Sequence, residues 1–258
     1  MATVAVMSDI HGNLEALESV LRDIKARGIR EIICLGDTVG YGADPLKCTD
    51  IARRFSVNLM GNHEWAVLTE PVAFNISARQ ALNWAKVRLV PRWYSLGATV
   101  RRWRFLKRLP KSYKRDNLLF VHGSPRNPVE EYIIRLDVDE ILGECNQKLK
   151  ECFALTDWVA FVGHSHIPGV ITEDCRYLEP SEIANHLKLE KGKKYIVNVG
   201  SVGQPRDKNW HSCYVTLDIE NAKVAYHRVE YDVQKAAAKI RSIGEIDESV
   251  STRITLGT

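Results

Sequence analysis

Five times along this chain a short apolar run ends in a turn built from Asp, Asn, His and Gly. Thr3–Met7 leads into Ser8-Asp9-Ile10-His11-Gly12-Asn13, Glu31–Leu35 into Gly36-Asp37, and Val57–Met60 into Gly61-Asn62-His63-Glu64. Asn117–Val121 leads into His122-Gly123, and Trp158–Val162 into Gly163-His164-Ser165-His166. Apolar runs this short, bounded by turn residues, read as buried strands. Ligand-binding groups of open α/β sheets gather at the C-terminal ends of strands. The pattern therefore predicts an α/β fold whose sequence-distant polar side chains converge on one rim. The adjoining glycines let the backbone turn sharply there.

Between the runs lie helical signals. Asn13 can cap a helix with Leu14, Leu17, Val20, Leu21 and Ile24 on one face, ending near Gly28. Pro45–Phe55 reads as a second helix. This alternation predicts that the first strands are parallel. Asn75–Leu109 breaks it with two or three helices. A helix over Val138–Phe153 follows, then strands at Tyr195–Val199, Ser212–Ile219 and Lys223–Tyr231. The turn Glu220-Asn221-Ala222 makes the last two a hairpin. Val233–Ile243 reads as a closing helix, and nothing after Gly244 gives a clear signal. The expected organisation is a single domain over 1–258, with 75–115 as a basic helical cap inserted in it.

That cap is the one strong charge asymmetry. Asn75 to Arg115 holds twelve of the 36 Lys and Arg and no Asp or Glu, leaving 24 basic against 32 acidic residues elsewhere. Its tryptophans, Trp84, Trp93 and Trp103, are expected to be packing anchors. No secretory leader is recognisable, no apolar stretch is long enough to cross a bilayer, and the six cysteines form no CxxC. Reduced cysteines in a cytoplasmic protein, with no membrane association, are the expectation. The sequence carries no signal for a particular oligomeric state.

The turn residues suit metal binding. Asp9, His11, Asp37, Asn62, His122, His164 and His166 offer mixed carboxylate and imidazole ligands, which favour Mn, Fe or Zn over Ca or Mg. Asp37 is the natural carboxylate to bridge two cations. Ions roughly 3.5–4 Å apart generate hydroxide at neutral pH and clamp the phosphoryl oxygens of an in-line attack. Asp-x-His alone is a weak motif; the joint set, each at a strand end, points to a metal-dependent phosphoesterase.

The order Asp-x-His, Gly-Asp, Gly-Asn-His-Glu, His, Gly-His-x-His resembles the calcineurin-like metallophosphoesterases over Val4 to about Asp207. It looks closest to their small bacterial and archaeal phosphodiesterase-like branch, which also carries a run like Asn198-Val199-Gly200-Ser201-Val202-Gly203-Gln204-Pro205-Arg206-Asp207. The resemblance implies a four-layer α/β/β/α sandwich with mixed sheets and a small helical insertion. It implies one ion on Asp9, His11, Asp37 and His166, and another on Asp37, Asn62, His122 and His164. Manganese is the leading expectation for both, with Fe, Zn, Ni or Mg as alternatives. His63 would contact the scissile phosphate and protonate the leaving oxygen, with Glu64 orienting it. One departure is informative. The family's protein Ser/Thr phosphatases carry Gly-Asp-x-x-Asp-Arg-Gly, and here Tyr41 stands in place of that arginine.

Substrate charge must then be met elsewhere. Asn75 and Arg79 of the cap are expected to overhang the metals, and Arg206 to sit at the rim. The expected substrate is a phosphorylated, nucleotide-like small molecule, cleaved as an ester or anhydride. Alternatives are a protein Ser/Thr phosphatase and a non-enzymatic nucleotide-binding scaffold on the same fold, as in family relatives that have lost catalytic groups. Nucleic acid is a less favoured ligand.

Overall fold

Alternation along the first strand sets the architecture. In β1 (Thr3–Met7), Val4 and Val6 enter one apolar cluster while Ala5 and Met7 enter another, the period of two that a strand buried on both faces must show. The computed structural model describes residues 3–70, 74–139 and 143–258. β1 pairs in parallel with β2 (Glu31–Cys34), and β2 in parallel with β3 (Val57–Asn58). On its other side β1 meets β13 (Ser212–Asp218) antiparallel, which continues through β14 (Lys223–Val229) to β11 (His186–Lys188). The second sheet centres on the parallel strands β5 (Leu118–Val121), β8 (Val159–Val162) and β12 (Tyr195–Asn198). Antiparallel edges close it: β4 (Ser112–Arg115) on one side, β9 (Gly169–Thr172) and β10 (Tyr177–Leu178) on the other.

The two six-stranded sheets face each other across a shared core. Val4, Val6, Ile33 and Val215 of the first meet Phe120, Phe161 and Val197 of the second. Phe120 and Phe161 stack at 5.1 Å between ring centroids. The first sheet's outer face is covered by α1 (Leu14–Ala26), α2 (Pro45–Ala52), α7 (Val233–Arg241) and α8 (Glu248–Leu256), joined by α3 (Asn62–Leu68), α4 (Ile76–Leu89) and α5 (Ala98–Lys107). α6 (Gln147–Ala154) covers the second sheet. This is the expected four-layer α/β/β/α sandwich with mixed sheets. No described helix is long and apolar enough to cross a membrane.

Several local expectations change. The helix expected over Val138–Phe153 begins only at Gln147, because Asn146 caps it by accepting from Leu149 N at 3.0 Å. Before it, β6 (Val138–Asp139) pairs with β7 (Glu144–Cys145), and 140–142 lie outside the described residues. The helical part of the cap ends at Lys107, and β4 belongs to the second sheet, where Lys114 and Arg115 mark the open edge. Trp84 is buried and Trp103 packs on the core, but Trp93 is exposed. The expectation of six reduced cysteines fails for one pair. Chain folding brings Cys145 and Cys175 to 5.2 Å between Cα atoms and they form a disulfide, while Cys34, Cys48, Cys152 and Cys213 are free and buried.

Candidate metal centre

The sandwich brings the C-terminal ends of both sets of parallel strands to one side. Asp9 and His11 follow β1, Asp37 follows β2, and Asn62 and His63 open α3 after β3. His122 follows β5, and His164 and His166 follow β8. The donors therefore come from two facing sheets and meet at their seam, where the sequence suggested a single rim. His164 N donates to Asp9 Oδ2 at 3.0 Å across it.

Local backbone geometry aims these side chains. Asp9, His11, Asp37, His164 and His166 all have φ between 50° and 66°. That left-handed region costs a non-glycine residue on the order of 1–3 kcal/mol and survives only where surroundings enforce it. The enforcement is visible. Asp9 N donates to Gly36 O (3.0 Å) and His11 N to Asp37 O (2.8 Å), stitching the β1 turn to the β2 turn. The Asn198–Asp207 run wraps the same turn: Gly203 N (2.8 Å) and Ser201 Oγ (2.9 Å) both donate to Asp9 O.

Glu64 supplies the main brace. It is fully buried, and its carboxylate accepts four backbone N–H groups: Asp37 (2.8 Å) and Gly61 (3.0 Å) on Oε2, Thr38 (2.7 Å) and Val39 (3.1 Å) on Oε1. It thus shapes the loop that carries Asp37 rather than orienting the His63 ring. Burial and the Asp37 charge push its carboxyl up to about 7, against the pull of the backbone donors.

The imidazoles show what the site is for. His11 Nδ1 lies 3.2 Å from Val39 O, His166 Nδ1 2.5 Å from Gln204 O, and His164 Nε2 3.1 Å from Glu130 O. A carbonyl can only accept, so each of these nitrogens carries the proton and the other ring nitrogen presents a lone pair. Those lone pairs face other acceptors. His11 Nε2 and His166 Nε2 are 3.1 Å apart, with Asp9 Oδ1 3.5 Å and 3.2 Å from them. His164 Nδ1 is 3.2 Å from His122 Nε2, which lies 3.0 Å from Asn62 Oδ1 and 3.4 Å from Asp37 Oδ2. Asp9 Oδ1 finds no hydrogen-bond donor among the described residues. The His11 and His166 lone pairs crowd on Asp9 Oδ1 with no proton between them, and the His122 group gathers Asn62, His164 and Asp37 in the same way; such buried crowding of ligand-type atoms fits cations. Three groups have their donor atoms within 4.8 Å of one another: Asp9–His11–His166, His11–Asp37–His63 and Asp37–His122–His164. Asp37 is common to the last two, and His11 joins the first to the second.

Charge follows geometry. Asp9 lies well below the usual carboxylate range: burial opposes this, but His166 and His11 prevail. Asp37 is held low as well, the pull of His122 and His63 overcoming burial. Burial lowers His164 to about 3 and His166 to about 4, the latter helped by Arg206. Burial would also lower His122, but Asp37 outweighs it and raises this ring to about 9. His63 sits below its ordinary range, chiefly through burial. Its ring is caged edge-on by His11 (4.5 Å) and Phe74 (5.1 Å), with Tyr41 tilted at 4.8 Å. A Cβ on Gly40 would stand 2.1 Å from His63 Nδ1, so only glycine fits beneath the ring.

A cavity of about 140 Å³ opens over the cluster, lined by Asp37, Asn62, His63, His164 and His166, and by Tyr41, Phe74, Asn75, Ala78, Tyr132, Arg206 and Arg253. Asn75 borders it while capping α4, and Arg206 borders it over the Tyr41 ring. Arg79 is not in its lining; its Nη2 donates to Phe74 O at 3.1 Å. None of the twelve cations of the cap segment lines it. Some of them serve packing and pairing: Arg102 pairs with Asp50, Arg115 with Glu31 (2.8 Å), and Arg88 lies 3.9 Å over Trp84. Sequence reasoning missed Arg253, on a helix it did not foresee, and Tyr132, which stacks on His164 at 3.7 Å. The apolar spacing Ile246, Val250, Ile254 around the capping Asp247 was the available signal for α8.

Comparison with known proteins agrees with this geometry. The profile described as calcineurin-like phosphoesterase matches residues 2–199. An uncharacterized protein of Methanocaldococcus jannaschii is 38% identical over 262 residues, covering 98% of each chain. The crystal structure of a metallophosphoesterase from Sphaerobacter thermophilus superposes with a TM-score of 0.78 at 32% identity, covering 99% of each chain. A hypothetical protein of Pyrococcus horikoshii shares the fold at 19% identity, with a TM-score of 0.72 and coverage of 100% of this chain and 99% of that one.

Proposed function

The chain belongs to the calcineurin-like phosphoesterase family, and from that premise we propose that it hydrolyses a phosphate ester or anhydride of a small, nucleotide-like molecule with two divalent metal ions. The observation that carries this is the buried convergence of carboxylate and imidazole donor atoms in three linked groups around Asp9 and Asp37. In this reading Asp9, His11, Asp37 and His166 hold one ion, and Asp37, Asn62, His122 and His164 the other. Manganese suits these donors best, with Fe or Zn next and Ni or Mg after them. When bound, the pair supplies Lewis-acid activation of water and of the phosphoryl oxygens.

The chain's own residues do the rest. Asp37 presents Oδ2 to His11 (3.7 Å), His63 (3.8 Å) and His122 (3.4 Å), while Oδ1 accepts from His63 N at 2.8 Å. That bond fixes the carboxylate plane between both donor groups. His63 lines the cavity, its Nδ1 buried without a partner among the described residues and its Nε2 3.8 Å from Asp37 Oδ2; beside a bound phosphate, whose charge offsets the burial that disfavours the imidazolium, the ring is the group placed to protonate a leaving oxygen. Arg206 offers a guanidinium to the phosphoryl oxygens and takes over the charge that Tyr41 does not provide. Asn75 can donate its amide from the α4 end. Phe74, Tyr132 and Tyr41 narrow the cavity, which favours a small molecule over a folded phosphoprotein or duplex nucleic acid.

The test is turnover by metal-loaded protein on aryl monoesters and diesters, dinucleoside polyphosphates, cyclic nucleotides, phosphopeptides and short oligonucleotides. Hydrolysis of the small nucleotides above the rest is expected. Hydrolysis of none of these in any divalent metal would leave a nucleotide-binding scaffold as the better reading.

A further inference from the structure

The cavity's positive charge comes from two side chains beyond residue 199, where the family match ends. Arg206 stands in the loop after β12, and Arg253 in the last turn of α8. Neither pairs with an Asp or Glu side chain among the described residues, although such acids serve other cations of this region: Arg228 pairs with Asp207, and Lys239 with Glu15 at 2.6 Å. The partners of Arg206 are neutral, Gln204 Oε1 at 2.9 Å and Tyr41 Oη at 3.4 Å, and its Nε is buried without a partner. Arg253 Nε donates to Thr258 O at 3.0 Å, which steadies the side chain at the cavity wall.

Two guanidiniums that no Asp or Glu side chain pairs with line this one cavity and make it favourable to an anion. Burial and the Arg206 charge hold Arg253 below the ordinary arginine range. The two stand at different depths. Arg206 N bonds His166 O at 3.2 Å, and its charge acts on the His166 ring. Arg253, by contrast, makes no hydrogen bond to a residue of the cluster among the described residues; its Nε bond is to Thr258 O.

We infer that Arg253 binds a second anionic group of the substrate, one step outward from the phosphoryl received by Arg206 and the cluster. The favoured class is a phosphate ester or anhydride with an adjacent phosphate or carboxylate. This rests on the phosphoesterase reading, but its test needs no turnover. Binding of methylphosphonate and of methylenediphosphonate is measured by calorimetry on metal-loaded wild type, Arg253→Gln and Arg253→Lys, with thermal melting to verify folding. Any stripping of metal by the diphosphonate acts on all three proteins and cancels in the ratio of wild type to variant.

Arg253→Gln is expected to weaken methylenediphosphonate by about tenfold to a hundredfold, the worth of a charge-assisted contact, and methylphosphonate several times less. Arg253→Lys falls between, keeping the charge and losing the fork; it carries the comparison if the glutamine variant does not fold. Equal losses for both ligands, or a loss under about twofold for the diphosphonate, overturn the assignment. Turnover of the ester and anhydride panel is scored separately: hydrolysis of none of its members in any divalent metal would sink the hydrolase reading and leave the binding ratio standing.

Discussion

Replacing Glu64 with Gln changes one atom and removes the brace under Asp37. In the wild type each carboxylate oxygen accepts two buried backbone N–H groups. The amide keeps one oxygen; its NH2 must face two N–H donors that cannot accept. Two buried donors then lose their partner, at about 1–3 kcal/mol each, so the expected cost is roughly 2–6 kcal/mol. Against a typical domain stability of about 5–15 kcal/mol that is severe but survivable. For a chain of this size it corresponds to a fall in Tm of about 4–24 °C, from roughly 2–4 °C per kcal/mol. The loop also carries Asp37, so metal affinity should fall with stability. The assay is urea unfolding with and without Mn, plus Mn titration. A Glu64→Gln protein as stable as wild type, with unchanged metal affinity, would refute the bracing role.

Other outcomes follow from the same geometry. His63→Gln should keep its metal content, measured by elemental analysis, yet lose roughly 10²–10⁴-fold in kcat, the range for one acid–base group. Phe161→Ala, in the core between the sheets, should cost about 3–5 kcal/mol in denaturant unfolding without altering the metal site. His227 is lowered to about 4 by burial and by the Arg27 charge. It binds its proton more weakly folded than unfolded, so its stabilising contribution is present above pH 6.5 and is lost as pH falls from there towards 4. Acidification from pH 7.5 to 4.5 should therefore cost wild type more stability than His227→Gln, read by unfolding at each pH.

Much of this architecture was legible because local and global signals agreed. Thr3–Met7 and Tyr195–Asn198 are continuous apolar runs, and Asn13 is a strong cap that accepts from Ala16 N at 3.1 Å. The short strands β9, β10 and β11 gave no periodicity to read, being two to four residues long. The residues that meet in the cluster were picked out because glycine and histidine gather at strand ends, but that they divide between two sheets is a matter of topology, which spacing does not encode. That the cap's arginines stand outside the cavity lining was not legible, for a physical reason. Arginine serves carbonyls, tryptophan faces and carboxylates as readily as phosphate, and nothing in a composition says which. Glu64 was read as a helper of its neighbour His63; its four partners, three of them on the Asp37 loop, become visible only in three dimensions.

The central claim is that the side chains meeting around Asp37 hold a pair of divalent cations. Elemental analysis of Mn-reconstituted protein after exhaustive desalting, run beside Asp37→Asn, tests it most directly. The account predicts two ions per chain in the wild type and a loss of most of them in the variant. A wild type that retains no metal, or a variant that retains as much as the wild type, would contradict it.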